Sequence, residues 1–245
     1  MGRQPDHHGS HDAVEQLPLI DFHSHTRLSD GRHELAEWVD LAAANGYRVL
    51  GVSDHVGPRN AAEQVRRLCE QIAALPPRHD GVQVIAACEI TRVAPESIGD
   101  ITAQVRDAGA RIVIVHGETG MDLPAPGVNR GAIEAQVDIL AHPGLIAESD
   151  VERAAELGVV LEISGRAVHS LTNGHVWQLA RRYGARVVID SDSHVAADLF
   201  TAERRRLVAR GAGLSDAEYY AAAQTACELA ERALGSPLVF TRGAS

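Results

Sequence analysis

Seven short apolar runs most constrain the fold of this chain. They fall at residues 19–22, 48–52, 82–87, 111–115, 137–141, 159–163 and 186–189. Most are near-continuous in apolar character rather than alternating, the pattern of parallel strands buried on both faces. The segments between them carry helical spacing. Val65, Leu68, Cys69 and Ile72 recur at i, i+3, i+4, i+7, as do Val176, Leu179, Ala180 and Tyr183. Gly46, Gly109, Gly158 and Gly184 each stand after a helical pattern and before a strand, where a left-handed residue closes a helix. Asn60 with Glu63, Ser149 with Glu152, and Ser215 with Glu218 have the spacing of capping boxes. Two last helices are predicted over 196–210 and 216–234. About seven βα units without a break point to a distorted (βα)7 TIM-like barrel rather than an open sheet. A doubly wound sheet would usually carry a glycine-rich phosphate loop after its first strand. Here the sequence reads HSHT instead.

The 245 residues, 45% hydrophobic and 23% charged, suit one such domain. The expected division is a disordered tail over 1–16, with its His7, His8 and His11, and one barrel over 17–240. Cys69, Cys88 and Cys227 form no CxxC pair, which implies reduced thiols and a cytoplasmic setting. No stretch has the length of a membrane span, and the first dozen residues lack the apolar segment of a signal peptide. A formal net charge of −10 disfavours extended nucleic acid as a partner, though not a small phosphorylated molecule. The densest basic run, Arg204, Arg205, Arg206 and Arg210, reads as a solvated helix face.

The chemistry lies where the runs end. Six of the 13 histidines sit there with several acids. Run one leads into His23 and His25, which point the same way in extended chain. Asp30 follows in a turn, as a further ligand or as a helix N-cap. The later runs lead to Asp54 and His55, to Glu89, to His116 and Glu118, to His142, and to Asp192 and His194. In a parallel barrel the carboxyl ends of the strands share one face. Imidazole and carboxylate without thiolate suit zinc, manganese or iron. Nine candidate ligands exceed the needs of one ion, so two or three divalent ions are expected, with a carboxylate such as Glu89 bridging. Asp54 and Glu118 are candidates to orient a ligand.

The motif order D-F-H-S-H-T…S-D-G, S-D-H, C-E-I, V-H-G-E, A-H-P-G, D-S-D-S-H resembles the PHP (polymerase and histidinol phosphatase) family from about Ile20 to His194. The resemblance implies a distorted (βα)7 barrel with a trinuclear centre that hydrolyses phosphoesters. It assigns His23, His25, Glu89 and Asp192 to one ion. It assigns Glu89, His116 and His142 to a second, and Asp30, His55 and His194 to a third. The Asp30 position is histidine in some members of the family. Past the sixth run, Arg166 is read as a ligand for substrate phosphate, against a salt bridge as the plainer role. His169 and His175 follow it as possible proton donors, with exposed or helix-start roles set against that. The loop over 121–131 is expected to line substrate access, and His33 and His79 to lie at the surface. The expected activity is hydrolysis of a small phosphomonoester, such as histidinol phosphate, by metal-activated hydroxide. The alternatives are a nucleotide phosphatase or nuclease of the same family, and a non-catalytic binding subunit with structural metals.

Overall fold

The computed structural model describes residues 17–76, 81–120 and 124–238. The expected tail over 1–16 and His79 lie outside them. Eight parallel strands appear in chain order: β1 (Leu19–Asp21), β2 (Tyr47–Val52), β3 (His55–Val56), β4 (Gln83–Ile90), β5 (Ile112–His116), β6 (Ile139–Ala141), β7 (Val160–Ser164) and β8 (Val187–Asp190). Seven of them match the seven apolar runs. The two-residue β3 was not foreseen. It extends the β2 segment and pairs with the far end of β4, His55 opposite Glu89. The order β1-β2-β4-β5-β6-β7-β8 follows the sequence, as expected when each strand returns through a helix.

Those helices are α1 (Leu35–Ala44), α2 (Ala61–Ala73), α3 (Ile98–Ala108), α4 (Val128–Glu134), α5 (Glu148–Leu157), α6 (Asn173–Tyr183) and α7 (Ala202–Ala212). An eighth, α8 (Asp216–Leu234), follows without a strand. The fold is a nearly closed (βα)7 barrel. Left-handed glycines end α3, α5 and α6 at positions 109, 158 and 184.

Some local expectations need correction. Ser215 and Glu218 do form a reciprocal capping box on α8. Asn60 stands at the N-cap of α2, but its Oδ1 accepts from Gly57 N (2.9 Å) instead of capping the helix. Ser149 lies inside α5, whose N-cap is Ala147. Residues 196–198 form a short 3-10 turn, and α7 starts only at Ala202, capped by Thr201. Arg205 is buried rather than solvated. It donates to Tyr219 Oη (3.0 Å) and Pro18 O (3.1 Å), so it ties the first strand to the last helices. A tertiary partner 187 residues away cannot be read from local charge density.

The barrel has an outer and an inner core. Trp38, Val39, Leu68, Ile98, Ile133, Val151 and Leu179 pack between helices and sheet. Inside lie Ile20, Phe22, Val49, Ile85, Ile112, Ile139, Val160 and Val188. The same inner cluster includes Ala226, Leu229, Ala230 and Ala233 of α8. Arg232 of α8 donates to Asp138, just before β6 (2.5 Å). The helix therefore plugs the amino ends of the strands and leaves the carboxyl ends open.

Closure between β1 and β8 is made mostly by residues just past the strands. Ser24 and Ser193 form a parallel bridge, with His25 N donating to Ser193 O (2.9 Å). Lower down, two buried carboxylates take the place of backbone partners. Phe22 N donates to Asp190 Oδ1 (3.1 Å) and Ser191 N to Asp21 Oδ1 (3.2 Å). Burial pushes both carboxyls above their usual range. The seam thus fixes the His23–His25 segment against the Asp192–His194 segment.

Candidate metal centre at the open end of the barrel

All nine predicted ligands meet at this end, linked through three carboxylates. Glu89, at the end of β4, has oxygens 3.4 Å from His23 Nε2, 3.6 Å from His25 Nε2 and 2.7 Å from His55 Nδ1. It also lies 3.0 Å from His116 Nδ1 and 3.5 Å from His142 Nε2. Asp192 approaches His25 Nε2 (3.3 Å) and His23 Nε2 (3.6 Å). Asp30 approaches His194 Nε2 (3.2 Å) and His55 Nε2 (3.5 Å).

Within this set, donor atoms group closely enough to share an ion. One group is His25, Asp30, His55 and His194. Another is His23, His25 and Asp192, and a third is His23, Glu89 and His142. These divide the residues somewhat differently from the resemblance. His25 joins the Asp30 group as well as the His23 group. His116 touches Glu89 but completes no group of three among the described residues.

The donors fit metal ions on a test that is independent of motif. Buried polar atoms normally find a hydrogen-bond partner. His23 Nε2, both ring nitrogens of His25 and His142 Nδ1 are buried without one. Divalent ions are what such a converging set of lone pairs would satisfy. Two of the candidate ligands also hold a strained backbone, with φ of +27° at His142 and +52° at Asp192. Non-glycine residues keep such angles only where the surroundings impose them, and they cluster at working sites.

The electrostatics follow from burying acids among imidazoles. For Glu89, burial alone would raise the carboxyl, but His55 and His23 outweigh it and hold it well below its ordinary value. Burial also opposes ionisation of Asp192, and His23 and His25 overcome it, so that carboxyl is lowered too. Burial depresses His25 to about 4. His55 moves the other way, to about 10, because Glu89 and Asp30 outweigh its burial.

Supporting residues were only partly foreseen. Glu162 on β7 was missed. Fully buried, it meets His23 Nδ1 at 2.5 Å, and so fixes the ring with Nε2 toward the other ligands. Its one signal in the sequence is an acid inside an apolar strand, V-L-E-I-S. Asp54 supports a loop rather than a ligand. It accepts from Thr26 N (2.8 Å), Thr26 Oγ1 (2.7 Å) and Ser29 Oγ (2.6 Å), shaping the turn that carries Asp30. Glu118 accepts from Gly127 N (2.9 Å) and Asn129 N (3.0 Å), holding the start of α4. Thr91 meets His55 Nδ1 at 2.8 Å. Gly144, at φ +65°, lets the chain after His142 pass the loop after His116. A Cβ there would fall 1.9 Å from Glu118 O.

His169 is buried, not exposed. Its Nδ1 meets Thr119 Oγ1 (2.8 Å), its ring stacks on His142 (4.1 Å between centroids), and its Nε2 lies 3.6 Å from Asp192. Burial lowers its pKa to about 3. With His142 and Asp192 it forms a fourth group of close donors. His175 instead bonds Ile146 O (2.8 Å), away from the ligands. Arg166 lies beside the ligands, its Nη1 meeting Asp192 O (3.0 Å) and His194 Nδ1 (2.5 Å). His33 is partly buried, stacked on Trp38 and 3.1 Å from Glu37.

Above the ligands opens a cleft of about 700 Å³. Its polar lining includes Asp30, His55, Glu89, His116, Arg166, His169, Asp192 and His194. Its apolar wall is Val93, Ala94, Pro124, Ala125 and Val168, so part of the 121–131 loop does line access. Within the described residues, no helix is long and apolar enough to cross a membrane.

No model of a known protein family matches the chain. Over 200 residues it is 37% identical to the uncharacterized protein MJ1295 of Methanocaldococcus jannaschii, across 81% of this chain and 92% of that protein. The chain belongs to the family of MJ1295. It is also 28% identical over 202 residues to a probable phosphatase of Shewanella sp. strain ANA-3, across 74% of this chain and 78% of that one. Ribonuclease P protein component 3 of Methanosarcina mazei is 26% identical over 216 residues, across 82% and 83% of the two chains. Among solved structures, histidinol phosphate phosphatase of Lactococcus lactis, complexed with zinc, L-histidinol and phosphate, superposes with a TM-score of 0.52. It is 14% identical, across 80% of this chain and 94% of that one. Motif order, barrel and phosphatase-named relatives make this a PHP-like chain.

Proposed function

We propose that the chain is a metal-dependent phosphoesterase acting on a small phosphomonoester. The observation that carries this is the convergence of nine imidazole and carboxylate side chains at one end of the barrel: six line an open cleft, and His23, His25 and His142 lie buried beneath it with ring nitrogens that lack a partner. Such residues would hold two or three divalent ions, with His23, His25, Glu89 and Asp192 at the centre. His116 and His142 lie to one side, and Asp30, His55 and His194 to the other. Ions bound there would supply Lewis-acid activation of water and of the phosphoryl oxygens.

The chain's own residues would do the rest. Glu162 holds the His23 ring in one orientation. Arg166 stands at the cleft wall with a planar fork suited to phosphate oxygens, and its bonds to Asp192 O and His194 Nδ1 keep it in place. His169 presents a ring nitrogen beside Asp192, within the space a phosphoryl group would enter. The aliphatic wall from Val93 to Val168 excludes water from one side of the bound ester.

Similarity to the Shewanella probable phosphatase supports this reading. Similarity to a ribonuclease P component favours a second one, in which the barrel serves a ribonucleoprotein and the metals are structural. A net charge of −10 weighs against a direct RNA groove. A cytoplasmic enzyme fits the three free cysteines. The deciding experiment is a hydrolysis panel on metal-analysed protein with histidinol phosphate, nucleotides, sugar phosphates and a short oligonucleotide. Turnover of a monoester, lost in an Asp192→Ala variant that still folds, is the expected result. Equal turnover by that variant refutes the site, and metal retention without any turnover supports the structural reading.

A further inference from the structure

The cleft does not end at the metal ligands. A second lobe of about 600 Å³ opens beyond Asp30 and His55, and it shares Thr91 and Arg92 with the first. Its outer wall carries Pro58, Arg59 and Asn60. Among the described residues three carboxylates line the two lobes, Asp30, Glu89 and Asp192, and all three belong to the candidate metal set. Once they are committed to cations, the charge left among the described lining residues is entirely positive: Arg166, Arg92 and Arg59. In a chain of net charge −10, that is a local reversal of sign.

The three arginines are not equivalent. Arg166 is engaged with Asp192 and His194. Arg59 and Arg92 are exposed, and among the described residues neither guanidinium has a hydrogen-bond or ion-pair partner. Arg92 also holds φ at +57°, a strained conformation for a non-glycine residue. It follows Thr91, the partner of His55, so its position is tied to the ligand shell. Among the described residues the lining offers no Phe, Tyr or Trp ring on which a base could stack.

We infer that the second lobe is a subsite for a second anionic group of the substrate. Arg92 and Arg59 would grip a phosphate or carboxylate at the end of the molecule away from the scissile ester. This rests on the phosphoesterase reading and narrows it to small esters with two anionic ends. Guanidinium forks pair with carboxylate and phosphate alike, so either group could serve.

The test uses matched pairs on the full chain loaded with Mn²⁺ or Zn²⁺. One pair is 3-phosphoglycerate against glycerol 3-phosphate, which isolates a distal carboxylate. The other is adenosine 3′,5′-bisphosphate against AMP, which isolates a distal phosphate. In at least one pair the doubly anionic member should have a kcat/KM higher by about tenfold or more, the scale of a charge-assisted hydrogen bond. Arg92→Gln and Arg59→Gln, singly and together, should erase that preference through KM. They should leave the singly anionic member within about twofold. Thermal unfolding of each variant checks that it folds, and Arg59→Gln carries the test if Arg92→Gln does not. The pair that shows the preference identifies the second group. Equal turnover within both pairs, or a preference that survives the double variant, overturns the inference while leaving the phosphoesterase reading intact. Hydrolysis of no phosphoester by metal-loaded protein overturns both.

Discussion

The two ends of the barrel bury side chains of opposite kinds. At the amino end, α8 sets Ala226, Leu229, Ala230 and Ala233 against strand residues such as Ile85 and Val160. At the carboxyl end, His23, His25 and His142 are buried with ring nitrogens that lack a hydrogen-bond partner. Apolar burial stabilises, at about 25 cal/mol per Å² removed from water. Unpaired buried polar groups cost free energy unless something binds them. One end therefore holds the chain together, and the other holds it ready for cations. The strain at His142 and Asp192 falls at the costly end as well. Stability and chemistry are separated along the barrel axis, as they are in barrel enzymes generally.

Substitutions at the two ends should accordingly change different properties. Asp192→Ala removes the carboxylate between His23 and His25. Phosphoesterase activity should fall by more than the roughly 10–100-fold typical of supporting residues. Bound metal measured by elemental analysis should fall with it, while the circular dichroism spectrum stays native. Leu229→Ala should do the reverse. A cavity at the plug costs about 2–5 kcal/mol in urea unfolding, with metal content unchanged. A loss of metal in this variant would mean that the two ends are coupled.

Glu162→Gln keeps shape but removes the charge behind His23. Metal affinity, read by competition with a chelator, should weaken by roughly 10–100-fold, and the urea midpoint of the metal-free protein should move little. Metal-free and metal-loaded protein should differ in stability by RT ln(1 + [M]/Kd), about 2.7 kcal/mol at a hundredfold excess over Kd. No difference on chelation would show that the orphaned lone pairs are not metal ligands. The smallest effect is expected at Ser215→Ala, which opens the capping box of α8. It should cost about 1 kcal/mol of stability and leave turnover alone.

Much of the site was legible because its residues obey a local rule. Each ligand candidate except Asp30 follows an apolar run, and strand ends share a face in a parallel barrel, so local spacing marks the set. Grouping was less legible. His25 faces Asp30, His55 and His194 as well as His23: its ring lies 4.4 Å from that of His55 beside the neighbouring strand, and 4.1 Å from that of His194 across the closed seam. His169 reads from sequence as a proton donor or as an exposed or helix-start residue, since nothing nearby in sequence shows that Thr119 and His142 will cover it. Arg205 looked solvated for the same reason.

Taken alone, the order of residues determined the seven βα units, the glycine-ended helices and the nine ligand candidates. All of these depend on spacing within about twenty residues, over which periodicity and caps act directly. Tertiary structure decided which candidate ligands lie close enough to share an ion, that Glu162 stands behind His23 from 139 residues away, and that a second lobe lined by Arg59 and Arg92 adjoins the cleft. Those features depend on how the barrel closes. Closure is a long-range pairing of β1 with β8, and no local pattern in the chain encodes which inward side chains it brings face to face.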